Sequence, residues 1–254
     1  TYAVRPLAER FFGTLQKRAY RAASMIVCIS GYTQARLRSF EPDRPTVVIP
    51  NGVRMPVAEG WQQPKEPLLL GVGAFKERKG YRYVLEALPA IAQAVPSVRY
   101  IAVGDQRDTA YVRSLQEIVE RLGLRQRVTF KEGISDTELD GLYRRARVFV
   151  LTPVSAPLNF EGFGLVYLEA NARGVPVVGS FENGGDDAIA DGRTGCLTRP
   201  RDPRHIAEKI TRLLQLSDAA YAASSAECLA WARSHSWERT VEQYRDLYRR
   251  VIDQ

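Results

Sequence analysis

Short apolar runs rich in β-branched residues alternate along this chain with segments of helical periodicity. A strand, a helix and a further strand form a right-handed βαβ unit, whose strands are parallel and whose helices cover both faces of the sheet. The alternation therefore predicts an α/β fold with a doubly wound, Rossmann-like parallel sheet. We predict strands at Met25–Ile29, Thr46–Ile49, Leu68–Val72, Arg99–Val103, Val128–Phe130, Val148–Leu151, Pro176–Val178 and Cys196–Thr198.

Apolar residues recur at helical spacing between most of these strands, and the chain becomes wholly helical near its end. Ser135 with Glu138 three residues later is the signature of a capping box, which predicts a helix start. The C-terminal helices are predicted at Pro203–Leu216, Ala219–Ser234 and Trp237–Ile252. The last of them places an apolar stripe on one face, made of Trp237, Val241, Tyr244, Tyr248 and Val251.

Residues 51–67 interrupt the alternation with the turn signal Asn51-Gly52, followed by prolines and a glycine. We therefore predict that 1–55 is the end of one unit plus a hinge, that 56–235 is a complete domain, and that 236–254 is a helix packing back on the N-terminal part. The first unit contains a helix (Leu7–Arg21), a strand, a helix (Thr33–Phe40) and a short strand, which is too little for its own core. We expect either that it belongs to a longer protein or that it docks on the main domain or another chain.

Composition narrows the class of protein. Hydrophobic residues make up 45% of the 254 residues, which excludes wholesale disorder, and no apolar run approaches the roughly 18–20 residues that span a bilayer. The cysteines Cys28, Cys196 and Cys228 are far apart, which predicts small core residues in a reducing compartment. With two histidines and no Asp-x-Asp pair, we expect no metal site.

The net charge of +7 is concentrated near the N-terminus. Residues 1–60 carry nine Lys/Arg and four Asp/Glu. A solvated cationic helix explains this pattern, and so does contact with an anionic lipid or an anionic acceptor. We expect no nucleic acid partner, because no run of Lys/Arg with interleaved aromatic residues follows.

The segment after the third predicted strand combines two glycines with three cations. Gly73 and Gly80 permit a close backbone approach. Lys76, Arg78 and Lys79 lie between them at a helix start, where cations oppose the positive end of the helix dipole. A bound polyanion would resolve this conflict. The alternative is a lysine-rich surface loop.

A second loop follows the Val148–Leu151 strand and opens a helix with two glycines, Gly162 and Gly164. The unpaired amides and the dipole of such a helix start form an anion site without a charged side chain. Glu161 and Glu169 flank this start, and at about 1.5 Å rise per residue their carboxylates stand roughly 10–12 Å apart. That separation suits the two ends of one ligand and exceeds the about 5–9.5 Å of a paired-carboxylate hydrolase. The alternative is an ordinary helix N-terminal charge and a solvated surface glutamate.

Glycines also follow other predicted strands. Gly104 ends one strand, Gly133 the next, and Gly184-Gly185 a later one. Because the carboxyl ends of parallel strands share one edge of the sheet, these glycines outline a cleft for an extended ligand held against the backbone.

The run from Glu161 to Glu169, with Glu-x7-Glu spacing and an internal Phe-Gly-Leu, resembles the donor-binding signature of the retaining GT-B glycosyltransferases of family four. The likeness extends over residues 24–254, and its combination of short pieces is specific. The other pieces are Ser30-Gly31-Tyr32-Thr33, Ile49-Pro50-Asn51-Gly52-Val53, Lys79-Gly80, Gly104-Asp105, Val128-Thr129-Phe130 with Gly133 and Ser135-Asp136, Ala172-x-Gly174-Val175-Pro176-Val177-Val178, and Asp191-Gly192-x-Thr194-Gly195.

The resemblance implies roles for the matching residues. Lys79 binds the donor diphosphate, whose phosphates are also held by the amides of Gly164 and Leu165. Glu169 binds the ribose hydroxyls, and Glu161 binds hydroxyls of the transferred sugar. Family members need no metal, because protein groups stabilise the leaving diphosphate.

The resemblance further implies that the backbone around Gly133 and Ile134 reads the edge of the base. The complete donor-binding set is Gly73, Lys79, Gly104, Gly133, Ile134, Glu161, Gly162, Phe163, Gly164, Leu165 and Glu169, of which Glu161 and Lys79 are the catalytic residues.

The implied reaction is transfer of a sugar, with retention, from a nucleoside diphosphate sugar such as a UDP- or GDP-sugar to a hydroxyl acceptor. Residues 1–55 then correspond to the tail of the acceptor domain and 56–235 to the donor domain of a GT-B protein. The acceptor domain supplies catalytic groups in this family, so we expect the chain to bind donor but to be incomplete for catalysis. We expect the chain to bind that acceptor domain or to self-associate.

The basic excess in residues 1–60 fits a lipid-linked or anionic acceptor, and a cytoplasmic protein peripheral at the inner face of the membrane. Two other functions stay open: a non-catalytic subunit that binds nucleotide sugars, and a GT-B sugar-nucleotide epimerase. A phosphorylase is disfavoured, because the sequence has no motif for a pyridoxal-phosphate lysine.

Two positions depart from the family pattern. Ala74 stands where members carry Arg, and losing one charge-assisted contact costs about 1.5–3 kcal/mol unless Lys76 or Arg78 reaches the phosphate instead. The usual Gly-Gly-x-x-Glu is shortened by one residue to Gly184-Gly185-Asp186-Asp187-Ala188, which bears on sugar selectivity.

Overall fold

A computed structural model describes residues 15, 17–56, 65–156 and 159–253 of the chain. The strands are β1 (Ile26–Cys28), β2 (Thr46–Val48), β3 (Glu66–Val72), β4 (Arg99–Val103), β5 (Val128–Lys131), β6 (Ala146–Val150), β7 (Val177–Ser180) and β8 (Gly195–Thr198). The α-helices named here are α1 (Gly31–Arg38), α2 (Tyr81–Ala94), α3 (Thr109–Arg121), α4 (Asp136–Arg145), α5 (Leu165–Asn171), α6 (Pro203–Leu214), α7 (Asp218–Ser234) and α8 (Trp237–Ile252).

The main sheet has the order β5-β4-β3-β6-β7-β8, and all its neighbouring strands are parallel. This is the doubly wound order, in which the winding of the chain reverses between β3 and β6. The predicted α/β fold is therefore confirmed. Because ligands of such sheets bind where the winding reverses, a binding site is expected at the loops after β3 and β6.

The central strand β3 is covered on both faces. Leu68, Leu69 and Leu70 are fully buried, so consecutive side chains that point to opposite faces are all removed from water. A strand buried on both faces is read in sequence as a continuous apolar run rather than an alternating one. Helices α2 and α6 pack together over the sheet. The three cysteines are buried free thiols, as predicted.

The N-terminal part forms a separate two-stranded parallel sheet of β1 and β2, with α1 between them. Ser30 is the N-cap of α1: its Oγ accepts from the Thr33 N–H at 3.0 Å, and Thr33 Oγ1 accepts from the Ser30 N–H at 3.0 Å. The Ser-x-x-Thr start is thus a reciprocal cap. Residues 17–22 are helical, but most of the predicted helix Leu7–Arg21 lies outside the described residues.

The hinge after β2 is tied to the start of α8. The Val53 N–H donates to the His235 carbonyl oxygen at 2.8 Å, and Thr240 Oγ1 donates to the Pro50 carbonyl oxygen at 3.1 Å. A Cβ atom built on Gly52 would lie 2.5 Å from the Trp237 Cα atom, so the two backbones touch. Residues 57–64 lie outside the described ranges, and the predicted domain bounds stay a prediction.

The apolar stripe of α8 is only half covered. Tyr244 and Val251 of the stripe are half-buried, whereas Val241 and Tyr248 are 45% and 62% exposed, and the buried Leu247 lies beside the stripe. Trp237 lies at the hinge and is 44% exposed. The helix therefore packs by one edge of its stripe and leaves the other edge open.

The predicted capping box of α4 is only half right. Ser135 Oγ accepts from the Glu138 N–H at 3.2 Å, as predicted. The Glu138 carboxylate does not return to the cap, because Lys131 at the end of β5 donates to it at 2.6 Å. A charged partner on the neighbouring strand outcompetes the neutral N–H of the cap.

We expect Gly52→Ala to destabilise the chain, because its methyl group must push the hinge away from the Trp237 backbone. Overpacking of this kind costs about 1–3 kcal/mol of unfolding free energy. The control is Gly141→Ala within α4, where a Cβ meets nothing within 4 Å. Replacing a helical glycine by alanine should add about 0.5–1 kcal/mol. Urea unfolding of both variants measures the difference, and equal or opposite shifts would contradict the described hinge contact.

Candidate functional site

The loops after β3 and β6 meet through an ion cluster. Lys79 Nζ lies 2.5 Å from Glu161 Oε2, and Arg78 Nη1 lies 3.2 Å from the same oxygen. The side chains of Lys79 and Glu161 are only 12% and 13% exposed. The structure thus brings together the two residues predicted to be catalytic. Glu161 also eases the charge conflict at this helix start, since its carboxylate pairs with two of the three cations without any ligand.

Glycine is required where two strand-end loops touch. A Cβ on Gly104 would lie 1.8 Å from the Gly73 carbonyl oxygen, and the Gly73 N–H donates to the Val103 carbonyl oxygen at 2.9 Å. Tyr81 Oη also donates to the Gly73 carbonyl oxygen, at 2.5 Å. No side chain fits at position 104, so the cleft beside Lys79 is walled by backbone.

The loop that carries Glu161 is shaped in the same way. Gly164 has a φ of 79° and precedes the first residue of α5, whose first turn has no side-chain cap. A Cβ on Gly184 would lie 2.0 Å from the Gly162 carbonyl oxygen, and the Gly184 N–H donates to the Glu161 carbonyl oxygen at 2.8 Å. The Glu161 loop therefore rests directly on the turn at 184–188.

Three residues predicted for the donor site differ in how far they are buried. Phe163 is 2% exposed, so its side chain is buried, whereas Ile134 packs against the main core and is only partly buried. Gly133 has a φ of 66°, and nothing lies within 4 Å of a Cβ built on it. Gly133 can present only its peptide groups, and the base-edge role of Gly133 and Ile134 stays a prediction.

Glu169 lies apart from the ion cluster and has its own partner. Tyr143 Oη donates to Glu169 Oε2 at 2.9 Å, and Arg173 Nη1 donates to the Glu169 carbonyl oxygen at 2.9 Å. Burial and the adjacent Glu169 carboxylate raise the pKa of Tyr143, so the phenol stays a donor. Glu169 is half-buried and held in place, which argues against a freely solvated carboxylate.

Glu169 lines a cleft of about 370 Å³ that also reaches the hinge and α8. The lining residues are Gly52, Val53, Arg54, Asp136, Leu139, Asp140, Tyr143, Leu165, Glu169, Arg173 and Trp237. Sequence reasoning placed Leu165 and Glu169 at a ligand but missed Tyr143, Arg54 and Trp237. Those three come from segments distant in sequence, and no local motif marks them.

Ala74 lies in a hollow of about 400 Å³ together with Phe75, Lys76, Asp105, Arg107 and Asp108. Of the two cations suggested as substitutes for the missing arginine, Lys76 lines this hollow. Arg78 instead lies at Glu161 and within 3.5 Å of the Phe160 carbonyl oxygen. The two substitutes therefore approach the site from different sides.

The turn at 184–188 holds two neighbouring acids, Asp186 and Asp187. Asp186 Oδ1 is buried without a hydrogen-bond partner among the described residues, while its Oδ2 accepts from the Glu182 N–H at 3.1 Å. Burial raises the pKa of Asp186 to about 6, with smaller contributions from the Asp187 and Glu182 carboxylates. Hydrogen bonds from the backbone N–H groups of Glu182 and Asn183 lower the pKa of Asp186, but they do not offset burial.

Within the described ranges, no group of three or more His, Cys, Asp and Glu side chains is arranged to hold a metal ion. In the same part of the chain, no helix has the length and apolar character needed to cross a bilayer.

The chain matches the family model described as glycosyl transferases group 1 over residues 59–227. It is 30% identical over 215 residues to a GDP-mannose-dependent α-(1-6)-phosphatidylinositol monomannoside mannosyltransferase of Mycolicibacterium smegmatis, covering 79% of this chain and 56% of that protein. It is 33% identical over 182 residues to a D-inositol 3-phosphate glycosyltransferase of Corynebacterium urealyticum, covering 70% of this chain and 42% of that protein.

Among solved structures, sucrose-phosphate synthase from Thermosynechococcus elongatus superposes with a TM-score of 0.78 at 30% identity, covering 94% of this chain and 61% of that one. The likeness supports the described fold over nearly the whole chain. In each of these three comparisons the chain spans less than two thirds of the other protein's length.

We expect Asp186→Asn to raise the melting temperature at pH 7.5 and to have a smaller effect at pH 5. The pKa of Asp186 is raised in the folded chain. Its carboxyl group therefore makes its full contribution to the free energy of unfolding only below its unfolded pKa of about 4. That contribution is lost as the pH rises through about 6. Replacing the exposed Asp253 by Asn is the control. A gain at pH 7.5 no larger than that at pH 5 would contradict the raised pKa.

Proposed function

We propose a function for this chain on one premise: it belongs to the glycosyl transferases group 1 family, in agreement with the resemblance noted in its sequence. We infer that it is the donor-binding part of a retaining glycosyltransferase. The complete enzyme moves a sugar from a nucleoside diphosphate sugar to a hydroxyl group. The observation that carries this proposal is the meeting of Lys79, Arg78 and Glu161 where the sheet reverses its winding.

In this proposal the bound donor replaces Glu161 as the partner of Lys79. The diphosphate takes Lys79, which frees the Glu161 carboxylate to accept hydrogen bonds from hydroxyls of the sugar. Lys79 stays paired in the exchange, since one anion replaces another beside the same cation. As the leaving diphosphate gains charge during transfer, Lys79 stabilises it in a site shielded from water. Arg78 and Lys76 supply the charge that Ala74 lacks.

The nucleoside lies in the 370 Å³ cleft. There Glu169 accepts hydrogen bonds from the ribose hydroxyls, and Tyr143 holds its carboxylate at the required angle. The peptide groups of Gly133 and Ile134 read the base edge. Backbone amides of Gly164 and Leu165 hold the phosphates between the two carboxylates.

The acceptor is proposed to be a hydroxyl compound that carries a phosphate or is linked to a lipid. Three relatives are named for phosphatidylinositol, inositol 3-phosphate and sucrose-phosphate chemistry. Residues 1–60 carry the cationic excess that suits such a molecule. A cytoplasmic protein bound peripherally at the inner face of the membrane fits this acceptor.

We expect Lys79→Ala and Glu169→Ala each to weaken UDP or GDP binding by about tenfold or more, because each removes a charged partner of the ligand. The matched controls are Lys209→Ala on α6 and Glu117→Ala on α3, which should bind as the unchanged chain does. Calorimetric titration measures all five proteins. Excess EDTA should leave the affinities unchanged, since protein cations hold the diphosphate. Unchanged affinity in both site variants would refute the donor site.

We expect the 254-residue chain to bind donor without efficient transfer, because the groups that hold the acceptor are proposed to lie in another domain or another copy. The test measures sugar transfer, donor hydrolysis and donor epimerisation, together with the mass in solution. Efficient transfer by a monodisperse monomer would overturn the incomplete-site proposal. Epimerised donor sugar would favour the epimerase, and binding without any turnover in a complete complex would favour a non-catalytic subunit.

A further inference from the structure

Helix α1 belongs to the small N-terminal sheet, yet its first residues contact the Glu161 loop of the main sheet. Ser30 is fully buried, and its Oγ donates to the Gly162 carbonyl oxygen at 2.7 Å. Ser30 Oγ also accepts from the Thr33 N–H at 3.0 Å, so one hydroxyl both caps α1 and holds the loop. Ser30 thus joins segments that are 132 residues apart.

A second contact joins α1 to the turn on which this loop rests. Asp187 Oδ2 accepts from the Gly31 N–H at the start of α1, where the helix dipole favours a negative charge. Asp187 is exposed, so this contact is weaker than a buried one. The same turn holds the Glu161 carbonyl oxygen through the Gly184 N–H at 2.8 Å.

Aromatic contacts complete the attachment. The Phe160 ring lies 5.3 Å from the Tyr32 ring, edge to face, and the Arg36 guanidinium carbon lies 5.8 Å from its centroid. Ile29 packs on the other side of Glu161, since a Cβ on Gly162 would lie 3.2 Å from its Cδ1 atom. The residues before and after Glu161 are therefore both fixed by the N-terminal unit.

We propose that Ser30 and Asp187 are positioning residues of the donor site, through which the β1–α1 unit sets the Glu161 carboxylate against the donor sugar. The inference rests on the proposed function of Glu161. A carboxylate acts on a sugar hydroxyl only if it is held to within about 0.5 Å, and the groups that hold it decide that. Any movement of the small sheet against the main sheet is transmitted to Glu161 by the same contacts.

A positioning role and a merely structural role differ in the ligand whose binding they affect. Glu161 is proposed to touch the transferred sugar, whereas Lys79 and Glu169 hold the nucleotide. Loss of the α1 contacts should therefore weaken a nucleotide sugar more than the bare nucleotide. General destabilisation would weaken both by the same factor.

The test compares Ser30→Ala and Asp187→Asn with the controls Ser217→Ala and Asp218→Asn. Ser217 is the exposed N-cap of α7, so its loss removes a cap hydroxyl far from the Glu161 loop. Asp187→Asn leaves the α1 cap intact, which separates the loop contact from folding of α1. Calorimetry compares UDP-glucose with UDP and GDP-mannose with GDP, and mass spectrometry follows chymotrypsin cleavage after Phe160 without ligand.

We expect Ser30→Ala to weaken the bound nucleotide sugar by about tenfold more than its nucleotide, and to speed cleavage after Phe160 by a similar factor. Asp187→Asn should act in the same direction with a smaller effect, and both controls should match the unchanged chain. Equal weakening of sugar and bare nucleotide, or unchanged cleavage and affinity, would overturn the inference. If the unchanged chain binds none of the four ligands, the proposed function fails instead, and the cleavage rates still decide whether α1 holds the loop.

Discussion

The Lys79–Glu161 ion pair is the interaction on which the organisation of the site depends. It joins the loops after β3 and β6, the two neighbouring strands between which the sheet reverses its winding. Both side chains are nearly buried, and an uncompensated charge in either place would be costly. The pair therefore lets the free protein keep charged groups in a cleft that is shielded from water. In the proposed function, the donor replaces one partner of this pair rather than bringing charge to an uncharged site.

Backbone contact, rather than side-chain packing, determines the shape of the cleft around this pair. A Cβ on Gly104 would lie 1.8 Å from the Gly73 carbonyl oxygen, and a Cβ on Gly184 would lie 2.0 Å from the Gly162 carbonyl oxygen. A wall made of peptide groups can approach a ligand more closely than a wall of side chains. The same closeness lets the turn at 184–188 support the Glu161 loop, so the cleft and its support are built from the same contacts.

Local patterns in the sequence predicted the fold and one half of the site. The alternation of strand and helix periods places the loops after parallel strands at one edge, which was enough to bring Lys79 and Glu161 together. Tyr143 could not be found in this way, because its role depends on α4 lying beside α5 and on nothing in its own segment. Glu138 shows the converse failure: its spacing to Ser135 is correct for a cap, but Lys131 from another element takes its carboxylate. Contacts with other elements of the fold thus decide which of the hydrogen bonds permitted by the local sequence a side chain forms.

Arg78 and Ala74 lie on different sides of the cleft. Arg78 reaches the Glu161 carboxylate, on the side of the cleft where the transferred sugar is proposed to lie. An arginine at 74 would instead project from the loop directly after β3, beside Lys76 and Asp105. Arg78 therefore does not occupy the place of such an arginine, and it shares a Glu161 oxygen with Lys79. Glu161 is paired with both cations but is proposed to contact only the transferred sugar, so its alignment bears on the sugar before the nucleotide, which is why contacts from a separate sheet to its loop matter to the proposed site.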